Sequence, residues 1–253
     1  MKKIVSLLAL ASVIVTASAA NFAASVVDYQ PGTGFVPGFT NTATVLGEPS
    51  RENPFADATD PFNPAYGRDQ LLSLGAGGLL TVKLAAPVLN HPHNRFGVDF
   101  IVYGNSGFII TNDFDLDTFS WIGTPATDGS LFGANPGETR VSVSRDGVAF
   151  YELDPAHTPT LDVLLPTDGA ADFSTPADPE LTQADFVGLT LEQIRALYHG
   201  AAGGAGYDLA WARDAAGNRV VLNAVNYVRL EVLSGKAEVD GFSGVFSPPG
   251  QSR

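Results

Sequence analysis

Apolar and polar positions alternate in short runs along most of this chain. Leu80, Val82 and Leu84 alternate with Thr81 and Lys83, which is the period of a strand with one buried and one wet face. Val228, Leu230 and Val232 alternate in the same way with Tyr227, Arg229 and Glu231. Val141 and Val143 oppose Ser142 and Ser144, and Asp146-Gly147 follows as a pair suited to positive φ, so residues 140–153 predict a hairpin. Residues 98–103 are apolar at nearly every position apart from Asp99, which predicts a central strand covered on both sides. A closing strand is expected over 238–246. Helical spacing is rare. Thr190 and Gln193 have capping-box spacing, Leu191, Ile194, Ala196 and Leu197 make an apolar face, and Gly200 ends the run. A second helical turn is expected over 182–187.

At the start of the chain the pattern differs. Lys2 and Lys3 precede an apolar run over 4–15, and Ala17-Ser18-Ala19 supplies a cleavage pattern, so residues 1–20 read as a secretory signal peptide. The run is shorter than the roughly 20 residues a membrane helix needs. Residues 21–253 then form a single expected domain. Two stretches in it read as long loops, 30–68, rich in Pro and Gly, and 154–179, with five prolines; loops of that length in a compact domain are usually functional or loosely ordered.

Composition narrows the class. Charged residues are only 16% of the chain, with 27 Gly and 17 Pro, so turns are many and solvated helix faces few. There is no cysteine, which excludes disulfides, thiolate metal sites and a cysteine nucleophile. The formal charge is −13, more negative by two if Lys2 and Lys3 leave with the leader. That balance argues against nucleic acid and anionic lipid as partners. The expected fold is all-β: a jelly-roll, galactose-binding-like β-sandwich with one or two short helices.

Two resemblances accompany this reading. Ser144, Asp146, Gly147 and Phe150 stand where discoidin-like, galactose-binding-like sandwiches carry Ser-x-Asp-Gly and a following aromatic. The resemblance implies that Phe150 plugs the core. More broadly, the chain resembles a bacterial family of exported surface proteins in several segments. These include Val27-Asp-Tyr-Gln-Pro-Gly-Thr-Gly-Phe, Leu46-Gly-Glu-Pro, Val98-Asp-Phe-Ile-Val-Tyr-Gly-Asn-Ser-Gly-Phe, Gly203-Gly-Ala-Gly-Tyr-Asp-Leu-Ala-Trp and Val239-Asp-Gly-Phe. Many members carry a PEP-CTERM sorting signal. Here Phe246–Arg253 holds neither its Pro-Glu-Pro motif nor an apolar helix, so release from a bacterial cell without a stable membrane anchor is the expectation.

Candidate chemistry is sparse. Asp113, Asp115 and Asp117 form an alternating acidic run that can converge on Ca²⁺, although Thr118 and Thr124 replace the Gly and Glu of an EF-hand loop. The sandwich resemblance adds Asp208 and Asp240 as ligands of a structural Ca²⁺, with turn capping as the alternative. His91 and His93 flank a proline and have no obvious third partner. No Gly-x-Ser-x-Gly nucleophile elbow occurs, and the clusters Gly75–Gly78 and Gly203–Gly206 lack the Lys and helix of a phosphate loop. Tyr66, Tyr103 and Trp121 are the aromatics expected to stack on a sugar ring, whereas Trp211 reads as core. The expected function is a non-catalytic surface or matrix protein that binds an extracellular glycan or matrix polymer, with Ca²⁺ stabilising its loops. A secreted polysaccharide hydrolase is the alternative.

Overall fold

A computed structural model describes residues 21–135, 137–161 and 165–245. The expected leader and the residues after Val245 lie outside that range. The strands are β1 (Asn21–Gln30), β2 (Leu72–Gly75), β3 (Leu79–Leu89), β4 (Phe100–Tyr103), β5 (Gly107–Ile110), β6 (Phe114–Asp115), β7 (Ser120–Trp121) and β8 (Thr127–Phe132). There follow β9 (Thr139–Ser144), β10 (Tyr151–Leu153), β11 (Ala205–Tyr207), β12 (Ala212–Arg213), β13 (Ala224–Val232), β14 (Lys236–Val239) and β15 (Gly241–Gly244). The single α-helix among the described residues is α1 (Leu191–Tyr198).

Nine strands form one antiparallel sheet in the order β11-β4-β15-β1-β3-β13-β9-β10-β12. β1 is where this sheet turns over. Its first residues, Asn21 and Phe22, pair with β15, while Ala23 to Gln30 pair with β3 through two register shifts. Bulges of this kind bend a strand and increase its twist. The two halves consequently close on one core. Leu80, Val82, Val141, Val228 and Leu230 meet Phe100, Val102, Tyr207 and Phe242 in a single apolar cluster, which also takes in Leu72 and Leu74 of β2 and Ala237 and Val239 of β14. The fold is the all-β sandwich expected, with the Phe100 and Tyr207 rings stacked 5.0 Å apart at its centre. Truncating a ring buried in such a core costs about 3–5 kcal/mol.

Most of the alternating runs lie in the strands they predict. β4 is buried at every position, and β13 alternates buried and half-buried residues. Three details differ. The expected closing strand is two strands, broken at Asp240. The Asp240 carboxylate accepts hydrogen bonds from the Ser50 amide (2.9 Å) and Ser50 Oγ (2.7 Å), so β14 pairs with β2 and β15 with β4. Phe150 does not plug the core. It is half-buried beneath the Arg229 guanidinium, 3.6 Å from its ring centre. In α1, Ala196 is exposed and Tyr198 completes the apolar face, because the buried stripe continues from Ile194 by four residues. The capping box of Thr190 and Gln193 is present, and His199 closes the helix in the left-handed region ahead of Gly200.

A side lobe sits beside the sandwich. β5 pairs with β8, and Phe108, Phe186, Ile194, Tyr198 and Ala201 form a second apolar cluster against which Phe62, Leu131 and Leu197 pack. The predicted helical turn contributes here as a 3-10 turn at Gln183–Phe186, its Thr182 and Asp185 side chains forming their own capping box. Among the described residues no helix is long and apolar enough to cross a membrane.

Candidate functional site

The lobe carries a cleft of about 690 Å³. Three segments build its walls. The first is a tight turn in the long 30–68 loop, where Asp60 Oδ1 accepts from the amides of Phe62 (2.7 Å) and Asn63 (3.0 Å). The Phe108 amide donates to the Pro61 carbonyl at 2.7 Å, which fastens this turn to β5. The second wall is the start of α1, with Thr190, Glu192 and Arg195 facing the space. The third runs from Ile110 through the β6–β7 hairpin to Thr124 and Pro125, and it supplies Trp121.

Asn112 holds the third wall in shape. Its Nδ2 donates to the carbonyls of Ile122 and Thr124, both at 3.1 Å, and its Oδ1 accepts from the Ala126 amide at 2.8 Å. One side chain thus closes the base of the whole hairpin. Ala126 also bridges to Thr190, which ties this wall to the helix start.

Arg195 is fixed from behind. Its Nε and Nη2 donate to the two carboxylate oxygens of Asp168 at 2.7 and 2.9 Å, and Asp168 is 1% exposed. A two-point bond of this kind sets the guanidinium plane. The Arg195 pKa is raised, first by its bond to Asp168. The Asp60 carboxyl is raised above the ordinary range because burial penalises its charge more than the Phe62 and Asn63 amides relieve it. Trp121, 37% exposed, offers a ring to the cleft, while Asp60, Asn63, Glu192 and Arg195 offer donors and acceptors around it.

The other residues named from the sequence are placed elsewhere. Tyr103 is fully buried and donates to the Phe173 carbonyl at 2.7 Å, so its ring has no free face for a ligand; that expectation is corrected. Tyr66 is exposed but stands apart from the cleft lining, its ring 6.2 Å from that of Phe55. Asp208 caps a 3-10 turn through the Ala210 amide (2.6 Å). Asp240 is the strand break described above.

The run of Asp113, Asp115 and Asp117 is a hairpin, with Phe114 paired to Trp121 and Asp115 to Ser120. Asp115 Oδ1 accepts from the amides of Asp117 (2.8 Å) and Thr118 (3.3 Å), and the Thr118 hydroxyl, followed by these two amides, holds its carboxyl below the usual range. Among the described residues no group of three or more His, Asp or Glu side chains is placed to hold a metal ion. Asp115, Asp208 and Asp240 are each engaged in a separate local structure.

Sequence reasoning did not single out Asp60, Phe62, Asn63, Glu192 or Arg195 as parts of one site. The length of the 30–68 loop was the available signal for the first three.

No family model matches the chain, and no curated protein matches it. Among solved structures it is similar to a pectin binding carbohydrate binding module, with 8% identity over 72% of this chain and 76% of that one and a TM-score of 0.25. A score that low defines no family.

Proposed function

We propose that the protein is an exported, non-catalytic module that binds a glycan chain in the Trp121 cleft. One observation carries the reading: an exposed indole and a set of fixed hydrogen-bonding groups line the same open cleft. Pyranose rings have apolar C–H faces and a polar rim, and this cleft offers a partner for each. Binding sites preferentially gather on loops held by a rigid scaffold, as the Asp60–Asn63 turn and the β6–β7 hairpin are. The leader pattern in residues 1–20 supports action outside the cell.

A second reading has its own observation. Asp60 and Glu192 line the cleft together, and burial raises the Asp60 carboxyl, as a general acid for glycoside cleavage requires. One pair of experiments separates the two. The intact protein is titrated with a panel of oligosaccharides, and the same mixtures are assayed for new reducing ends. Saturable binding without cleavage supports the binding module. Cleavage that disappears in Asp60→Asn establishes the hydrolase. Failure to bind any member of the panel sinks both.

A further inference from the structure

A second cleft, of about 500 Å³, opens on the sandwich beside the turn between β9 and β10. A break in the sheet makes room for it. β13 pairs with β3 on either side of Asn226, at Val225↔Val88 and Tyr227↔Lys83, so residues 84–87 of β3 stand opposite one residue of β13. The extra residues are held on the β1 side. Asn21 Nδ2 donates to the Ala86 carbonyl at 2.7 Å, and the Ala86 amide donates to Asn21 Oδ1 at 2.8 Å. Pro87 has no amide hydrogen to offer β13. Pro87 and Asn226 therefore line an opening instead of pairing. Bulges are frequent beside binding sites because they re-aim side chains out of the ladder.

The facing wall is fixed by its own turn. Ser144 Oγ accepts from the amides of Asp146 and Gly147, and Asp146 Oδ1 accepts from those of Val148 and Ala149 at 2.9 and 3.0 Å. Asn226 Nδ2 donates to the Arg145 carbonyl at 2.7 Å, which pins the turn to β13. On this frame Arg145 is exposed, and among the described residues its guanidinium makes no ion pair and no hydrogen bond. Arg195 in the Trp121 cleft is by contrast taken up by Asp168. Asn226 Oδ1 and the Tyr151 hydroxyl, on half-buried residues, are likewise without partners among the described residues. Pro87, Ala149 and Ala224 add apolar surface.

These groups narrow the ligand. A free guanidinium matches a carboxylate through two parallel donors. The acceptors on Asp146 and Asn226 need hydrogen donors from the same molecule. A simple carboxylate has none to give and meets only like charge at Asp146. A neutral sugar donates hydroxyls but leaves the guanidinium unanswered. A uronic acid unit carries a carboxylate, several hydroxyls and an apolar C–H face, and so answers each group. Because the whole chain carries −13, a long polyuronate is repelled at its outlying charges, which favours a single unit or a chain end.

We infer that this cleft binds one uronic acid unit, its carboxylate on Arg145 and its hydroxyls on Asp146, Asn226 and Tyr151. The site shares no lining residue with the Trp121 cleft and does not rest on the reading of that cleft.

Calorimetric titration of the whole protein tests it, with the methyl glycosides of glucuronic and galacturonic acid, their neutral parents and acetate as probes. At least one uronide is expected to bind about tenfold more tightly than its neutral parent at low salt, as a charged hydrogen bond supplies, with the margin shrinking toward 1 M salt. Acetate is expected to bind more weakly than that uronide. Arg145→Gln removes a side chain without a bond inside the fold, so it should bring the uronide to the level of its parent at an unchanged unfolding temperature. Trp121→Ala should leave uronide affinity as it is. Equal affinity for uronide and parent overturns the inference, as does wild-type uronide affinity in Arg145→Gln. Acetate binding as tightly as the uronide reduces the cleft to a simple anion site and also overturns it. Loss of uronide binding in Trp121→Ala moves the acid sugar to the other cleft, with the same consequence. If no uronide binds, this inference falls, while neutral oligosaccharide binding that depends on Trp121 would leave the earlier reading standing.

Discussion

Asp240 is 1% exposed between β14 and β15, and Ser50 occupies both of its oxygens. Burial raises its carboxyl from the ordinary 3.8 to about 7, despite the opposing effect of those two bonds. Asp99, buried behind β4 and bonded to Asn94 and the amides of His91 and Leu209, rises to about 6 for the same reason. For both groups the folded state holds a proton that the unfolded chain releases at lower pH. Their contribution to stability is therefore greatest in acid and is lost as pH rises from about 4 to about 7, by about 1.4 kcal/mol per pH unit for each group within its window. Asp240→Asn retains an acceptor and a donor for Ser50 without the charge. Urea unfolding from about pH 5 to pH 8 should show a flatter profile in this variant than in wild type, with the variant the more stable at the alkaline end. Parallel profiles would remove Asp240 from the account. Arg195 makes the opposite case, since its loss leaves Asp168 buried without its cation. Because Arg195 is itself 40% exposed, Arg195→Leu is expected to cost on the order of 2–3 kcal/mol, less than a fully buried pair, measured by the same unfolding assay.

At the scale of elements, legibility followed the hydrogen-bond register. The β3, β9 and β13 runs keep a period of two because their central pairing is regular, and they were readable. β1 was not. Its core-facing residues Ala23, Val26 and Tyr29 recur every third position, because register shifts at Ala23/Ser25 and Val26/Asp28 each displace the pattern by a residue. The 238–246 run hid its break for another reason: Asp240 is held by Ser50, 190 residues away in sequence. The acidic alternation at Asp113, Asp115 and Asp117 suggested metal ligands, and it lies in a hairpin that interleaves it with the exposed Phe114 and Leu116. Trp121 lines a cleft whose other walls come from two distant segments, the Asp60–Asn63 turn and the start of α1, which no local pattern joins to it. The hairpin also carries a prediction. Phe119→Gly removes an exposed ring from a left-handed backbone position, so thermal unfolding should show unchanged or slightly increased stability, by up to about 1 kcal/mol. A clear loss of stability would show that the Phe119 ring serves the fold.

On the scale of the molecule, the curled sheet holds the main core and a side lobe carries the cleft. The sandwich core is continuous from β2 to β15, and the lobe core formed by Phe108, Phe186, Ile194 and Tyr198 carries the cleft on its rim. Composition anticipated this division only in outline: few charges, many turns and no disulfide imply a self-sufficient β core, and surplus acid implies a surface that repels polyanions. The central claim is that Trp121 forms the ring-stacking wall of a glycan site. Calorimetric titration of wild type and Trp121→Ala with the tightest-binding oligosaccharide of the panel tests it directly. The account predicts at least a tenfold loss of affinity, in keeping with about 1–3 kcal/mol for a stacked ring, with the unfolding temperature nearly unchanged. Equal affinity in the two proteins would contradict it and move the site away from this cleft.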